Sequence, residues 1–214
     1  MIEFMVEGLR ERKKQATRRA ISDAATELFM KNGFDNTSVA EIAQAVDVSP
    51  QTVLNYFPAK TDLFFDENSW YAGPPQAVRD GHPAKSPAEA VLEWYLADLQ
   101  RRHDEGHLDG LEVYLQTIAD SETLRRRRLD DLAALTAALC AALEDLPLRQ
   151  AAWEAPLTAA ILTSAIMVAE SETARLSRKL ARADLLDAAQ AAAATIFERA
   201  CTALSPPTGC HGRH

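Results

Sequence analysis

The sequence is poor in the features that catalysis, secretion and membrane insertion draw on. Cysteine occurs three times, at Cys140, Cys201 and Cys210. An odd, widely spaced set is not a disulfide framework, and the first two fall in helical patterns as small packing residues. Glycine is scarce, with 8 residues in 214, and none is grouped into a loop that could cradle a phosphate. The most apolar stretch, Leu157 to Ala169, is interrupted by Thr158, Thr163 and Ser164 and falls short of the roughly 20 residues that span a bilayer. The start, MIEFMVEGLRER, lacks a basic opening followed by an apolar core and a cleavage site, so a cytoplasmic location is expected. No strand pattern and no nucleophile–base spacing stand out. An enzyme, a bound cofactor and a metal centre are therefore not expected.

A global excess of positive charge is also missing. The chain holds 23 basic and 31 acidic side chains, a net charge of −8. The distribution says more than the total. Residues 1–60 carry 8 of each sign, so the deficit belongs wholly to the rest of the chain. Cations confined to one end of an otherwise acidic protein fit an anionic partner met at that end alone.

The run from Thr37 to Phe64, TSVAEIAQAVDVSPQTVLNYFPAKTDLF, reads as two short helices joined by a tight turn. Ser38 and Glu41 have capping-box spacing. Val39, Ile42, Ala43 and Val46 recur at helical intervals and leave Glu41 and Gln44 outside. Asp47 interrupts the pattern, and Ser49-Pro50 restarts it with a capping hydroxyl and the residue suited to a first helical turn. In the second helix Val53, Leu54 and Phe57 are expected to pack inward, while Gln51, Thr52 and Asn55 share the other side. Amide and hydroxyl side chains suit base edges and phosphates. A plain helical hairpin with a solvated polar face would show the same pattern.

The preceding segment adds weight to the DNA-reading alternative. Arg10, Arg12, Lys13, Lys14, Arg18 and Arg19 stand against Glu11 alone and lead into Ile21, Ala24, Ala25, Leu28 and Phe29, an apolar face ending at Asn32-Gly33. This supplies a third helix and cations for phosphates. Together, RAISDAATELFMKNGFDNTSVAEIAQAVDVSPQTVLNYFPAKTDLF resembles the N-terminal DNA-binding domain of the TetR (tetracycline-repressor-like) family of bacterial transcription regulators, over roughly Arg10 to Phe65. The resemblance implies that Gln51, Thr52 and Asn55 are groove or phosphate contacts, with Ser49 beside them. It further implies phosphate contacts from Tyr56 and Lys60, and backbone contacts from Thr37 and Ser38. Asp47 stands where glycine is common in the family, which Asp tolerates because it enters the left-handed region readily. Pro50 and Leu54 depart from the family pattern, which often has a polar residue and a tyrosine there.

The remainder reads as helices. Lys60 to Tyr71 continues helically. Gly73-Pro74-Pro75 and Gly81-His82-Pro83 mark a break, read as a hinge. Helices follow from Ser86-Pro87-Ala88-Glu89, then over 108–119, 121–146, 157–180 and 183–204. The expected architecture is all-α: a helix-turn-helix domain over 1–62, a larger helical bundle for effector binding and dimerisation over 63–205, and a flexible tail over 206–214. The last two helices are rich in small residues, among them Ala159, Ala160, Ala165, Ala169, Ala191 and Ala192. Small faces allow close approach within the chain, and the resemblance implies a homodimer through the same pair.

Candidate ligand-binding residues in the body are Trp94, Tyr95, Tyr114, Ile118, Arg125 and Arg127. Trp94, Tyr95, Tyr114 and Ile118 are apolar or aromatic and could line a pocket. The arginines come from the run Arg125 to Arg128, whose guanidiniums suit carboxylate or phosphate. The segment SETLRRRRL is also similar to one found in TetR-like regulators that respond to acyl-coenzyme A-like molecules. His103 and His107, four apart, could present two imidazoles to a metal. The resemblance implies a repressor that binds double-stranded operator DNA and is released by a small hydrophobic or acyl-coenzyme A-like effector. A metal-responsive regulator using His103 and His107, or a helical enzyme, are the alternatives.

Overall fold

A computed structural model describes the backbone of residues 2–65, 70–147 and 151–204, and the side chains of most of these from residue 11 onward. The tail expected over 206–214, with Cys210, His211 and His214, lies outside the described residues. Among the described residues the structure is helical: α1 (Ile2–Asn32), α2 (Val39–Ala45), α3 (Pro50–Tyr56), α4 (Lys60–Phe64), α5 (Gly73–Gly81), α6 (Pro87–Asp104), α7 (Leu111–Asp120), α8 (Glu122–Glu144), α9 (Glu154–Ser177) and α10 (Arg182–Leu204). Two compact units emerge, residues 1–68 with 116–127, and residues 69–115 with 128–214. The second half of α7 and the first turns of α8 thus join the first unit, an arrangement that a linear division at residue 62 misses.

In the first unit α1 packs against α2 and α4, and α2 against α3. Ile21, Ala25 and Phe29 from α1 and Ile42, Ala43, Val53, Phe57 and Leu63 are all buried. Phe29, Phe34 and Phe64 form a tilted and edge-on aromatic cluster with centroids 5.1 to 5.9 Å apart. Losing a buried Phe from such a cluster costs about 3–5 kcal/mol. Leu54 is the exception to the expected pattern. It is 36% exposed, because the inward face of a seven-residue helix is already filled by Val53 and Phe57.

In the second unit α6 packs against α5 and α10, and α9 against α10. Tyr95 and Leu99 of α6, Leu139 of α8, Leu162 and Ile166 of α9, and Ala193 and Phe197 of α10 are fully buried together. The segment read as a hinge is helical over Gly73–Gly81, and only the turn from His82 to Lys85 interrupts it before α6. Pro74 and Pro75 open α5, where a missing N–H leaves no hydrogen bond unmade. Gly73 is required there by space, since a Cβ would fall 2.1 Å from Trp94 Nε1. Ala159, Ala165 and Ala169 face this core, so their small size serves packing within the chain.

No helix among the described residues is long and apolar enough to cross a membrane.

Candidate functional site

The α2–α3 corner is assembled by local chemistry. Ser38 caps α2 in a reciprocal box: its hydroxyl accepts from the Glu41 amide at 3.2 Å, while Glu41 Oε2 accepts from the Ser38 amide at 2.7 Å. The Ser38 backbone N–H, then its hydroxyl, hold the Glu41 carboxyl below its usual 4.5. Asp47 adopts φ +53, the left-handed conformation that turns the chain between the helices, and the Val48 amide closes the turn on the Ala43 carbonyl at 3.0 Å. Ser49 caps α3 by accepting from the Thr52 amide at 3.0 Å.

Most of the expected contacts lie on α3 or at its N-cap. Gln51 and Asn55 are exposed on α3, and the Gln51 Nε2 donates to Asn55 Oδ1 at 3.1 Å. Their mutual bond uses one Gln51 N–H and the Asn55 carbonyl, and so leaves the Asn55 N–H groups, the second Gln51 N–H and the Gln51 carbonyl, donors and an acceptor of the kind a base edge meets. Ser49 is exposed, and Thr52 and Tyr56 are half-buried on the same short helix. Leu54, exposed beside them, adds an apolar group. Ser38 is exposed at the start of α2.

Two expected contacts are occupied within the fold. Thr37 is 1% exposed, and its hydroxyl donates to the Leu28 and Gly33 carbonyls. It ties the end of α1 to the turn before α2 and has no surface to offer a phosphate. Lys60 is half-buried, its ammonium donating to the Phe34 carbonyl at 2.7 Å and the Thr37 carbonyl at 2.8 Å, 4.2 Å from the Phe34 ring centroid. Desolvation lowers its pKa, opposed by Asp35 and Glu41. The lysine braces the α1–α2 turn, a job that sequence spacing of 26 residues conceals.

Of the amino-terminal cations, Arg12, Lys13, Lys14, Arg18 and Arg19 are exposed, and the Arg18 guanidinium also stacks 4.4 Å above the buried Phe57 ring. The Arg10 side chain lies outside the described residues.

The expected effector residues divide between the units. Ile118, Arg125 and Arg127 belong to the first, and Trp94, Tyr95 and Tyr114 to the second. Arg125 reaches Glu122 and the Ala119 carbonyl, and Arg126 bonds Glu122 at 2.8 Å. Arg127 donates to Asp62 Oδ1 at 2.9 Å. The arginine that turns into the second unit is Arg128, paired with buried Glu170. Burial opposes its charge, but Glu170, Tyr114 and Tyr71 raise its pKa. The arginines offered as ligand anchors, Arg125 and Arg127, therefore sit on carboxylates of the first unit. Their neighbour Arg128, not chosen from the sequence, is the one directed into the bundle. The sequence also hid Asp98 and Arg102, both buried. A usable signal exists: Tyr95, Leu99 and Arg102 share one face at helical spacing, which places a charge on the apolar stripe of α6.

The paired-histidine geometry does not form. α6 ends at Asp104, and Gly106 at φ +80 turns the chain before His107 begins a 3-10 turn. His103 lies 3.4 Å from Asp104 and His107 3.4 Å from Glu105. No group of three or more His, Cys, Asp or Glu suited to a metal occurs among the described residues. Desolvation first, then Glu144 and Glu89 respectively, push the Cys140 and Cys201 thiols up, away from the reactive thiolate.

Residues 21–66 match the family model described as bacterial regulatory proteins, tetR family. Among sequence relatives, the HTH-type transcriptional regulator TcmR of Streptomyces glaucescens is 34% identical over 106 residues, covering 49% of this chain and 46% of TcmR. The chain spans about half the length of the curated relatives it matches first. Among solved structures, NalD, the secondary repressor of the MexAB-OprM multidrug efflux pump in Pseudomonas aeruginosa, aligns with a TM-score of 0.59 at 21% identity, covering 87% of this chain and 96% of NalD. A SmeT–triclosan complex aligns with a TM-score of 0.61 at 14% identity, covering 91% and 96%. At these identities the structural likeness concerns the fold.

Proposed function

We propose that this chain, which belongs to the tetR family of bacterial regulatory proteins through its helix-turn-helix domain, is a dimeric transcriptional repressor released from DNA by a small organic effector. The observation that carries the reading is the exposed Gln51–Asn55 pair on α3, presented by a capped, left-handed turn at Asp47. Together with the exposed cations of α1, it offers base-edge groups and phosphate partners on one small domain. The family match to residues 21–66 supports the same assignment.

The effector part of the reading rests on the second unit, in a chain whose fold is shared with SmeT, solved as a triclosan complex. A ligand favouring one arrangement of the reading heads lowers DNA affinity by linkage. The dimer part rests on faces that the chain leaves uncovered. Leu157 and Val168 of α9 are 45% and 53% exposed, in line with exposed Ser164, and Ala191 and Thr195 of α10 are exposed at one-turn spacing. A second copy packing there would link two reading heads across a two-fold axis.

Selection from a pool of random duplexes tests the proposal. The full chain is expected to enrich an inverted repeat with half-sites about 34–36 Å apart. Recovery of no common sequence, with binding that tracks net phosphate alone, would refute sequence-specific regulation.

A further inference from the structure

The core of the second unit contains polar groups that its own side chains do not satisfy. Tyr95 is 0% exposed on α6, its ring 6.2 Å from Phe197 and 6.5 Å from Trp94. Its hydroxyl makes no well-aligned hydrogen bond, although the Thr173 hydroxyl and the Arg102 guanidinium lie near enough to interact with it. Arg102, two turns further along the same face, is 7% exposed, and its Nε and Nη2 are likewise buried without a hydrogen bond. Asp98 Oδ2 lies 2.8 Å from Arg102 Nε, close enough for attraction but without the alignment of a hydrogen bond, and its Oδ1 is taken by Arg101 at 2.5 Å. Arg102, Glu170 and Thr173 are the polar surroundings of Tyr95. Glu170 is already paired with Arg128, and the Thr173 hydroxyl donates to the Ala169 carbonyl at 2.8 Å.

Buried donors left unmade are costly, more so on a cation, and folded proteins retain few of them. The pattern here is also specific in shape. Nε and Nη2 are the two nitrogens along one edge of a guanidinium, the edge that meets both oxygens of a carboxylate in parallel. The Tyr95 hydroxyl adds a third donor in the same apolar setting.

We propose that Arg102 and Tyr95 form an anion subsite in the second unit that takes the carboxylate of a small organic acid with an aromatic or alkyl body. The proposal rests on reading this unit as the effector domain, and adds the chemical class of the effector. Arg102 holds the carboxylate along its Nε–Nη2 edge, Tyr95 donates to one oxygen, and Asp98 stays with Arg101. The apolar body packs among the side chains of α6, α9 and α10. Arg128 and Glu170 remain paired and balance each other's charge beside it.

The test uses the full chain and two readouts. In thermal melts, benzoate, salicylate, 2-naphthoate, octanoate and dodecanoate are compared with their primary amides. At least one carboxylate is expected to raise the melting temperature by about 2–4 °C, with no shift from its amide, and to bind about tenfold or more weakly to Arg102→Met. Without ligand, Tyr95→Phe is expected to melt at or above the unaltered protein, because it removes a buried donor that makes no hydrogen bond, whereas Arg102→Met also takes a charge partner from buried Asp98 and is expected to melt lower. No stabilisation by any carboxylate, equal stabilisation by acid and amide, or a marked fall in the ligand-free melting of Tyr95→Phe would overturn the subsite. Specific duplex binding in a protein that no carboxylate stabilises would sink this inference alone. Carboxylate binding in a protein that selects no duplex would instead sink the regulator reading.

Discussion

The Arg127 guanidinium donates to Asp62 Oδ1 at 2.9 Å while Asp62 Oδ2 accepts from the Ala59 amide at 3.0 Å. One carboxylate thus caps α4 and anchors the first turns of α8, and together with the Ser121 hydroxyl donating to Asp35 Oδ1 at 2.8 Å it ties residues 116–127 to the compact unit of the helix-turn-helix. Both side chains are a little over a quarter exposed, enough burial for the pair to exceed a surface ion pair. A double-mutant cycle with Arg127→Ala and Asp62→Ala should give a coupling of about 1 kcal/mol in urea unfolding followed by far-ultraviolet circular dichroism. Additive losses would show that the pair contributes nothing beyond its separate contacts.

Lys60 carries a different prediction from the one its sequence context suggests. Because its ammonium is engaged by the Phe34 and Thr37 carbonyls, Lys60→Ala should destabilise the first unit by about 1–3 kcal/mol. The slope of log binding constant against log salt should stay unchanged. A slope shallower by about one would mean that its remaining N–H also holds a phosphate.

Much of the helix-turn-helix is legible in sequence because it is written in local chemistry. The Ser38–Glu41 and Ser86–Glu89 boxes form as spaced, and Asp47 takes the left-handed turn in place of glycine. What sequence conceals is tertiary. Four consecutive arginines look equivalent, yet Arg125 and Arg126 share Glu122, Arg127 takes Asp62 and Arg128 enters a core. Proline and glycine around residue 73 suggest a break because they are read one by one, whereas at a first turn they begin a helix. Alanine content alone does not say which face of α9 is buried, and Ala165 proves to be an internal residue.

Ala165 is not a site at which to probe assembly. Ala165→Arg would bury a charge in the chain's own core and is expected to unfold the second unit. Val168→Arg and Thr195→Arg alter exposed faces, so each should leave the circular dichroism intact and shift sedimentation from dimer toward monomer. A dimer persisting in both would place the interface on another surface.

Acid should weaken the caps only once the pH falls below the ordinary carboxyl range. The Glu41 carboxyl is held below 4.5 by Ser38, and that of Glu89 by Ser86. Since the folded values lie below the unfolded ones, the stabilisation is complete above about pH 4.5 and fades as the pH falls through the folded values. Carboxyl chemical shifts in an acid titration should report both midpoints below 4.5. Ser38→Ala should raise the Glu41 midpoint part of the way toward 4.5, since the backbone N–H remains, and leave that of Glu89 in place; equal midpoints before and after would mean the hydroxyl does not help to hold the charge.

The central claim is that the Gln51–Asn55 face of α3 reads DNA, and the most direct measurement is the affinity ratio between a selected duplex and its scrambled counterpart, taken at fixed salt. Asn55→Ala should reduce discrimination at one base pair by about 1–3 kcal/mol, and a Gln51→Ala/Asn55→Ala protein should approach equal affinity for both duplexes while retaining its salt dependence. An unchanged ratio in the double variant would contradict the account.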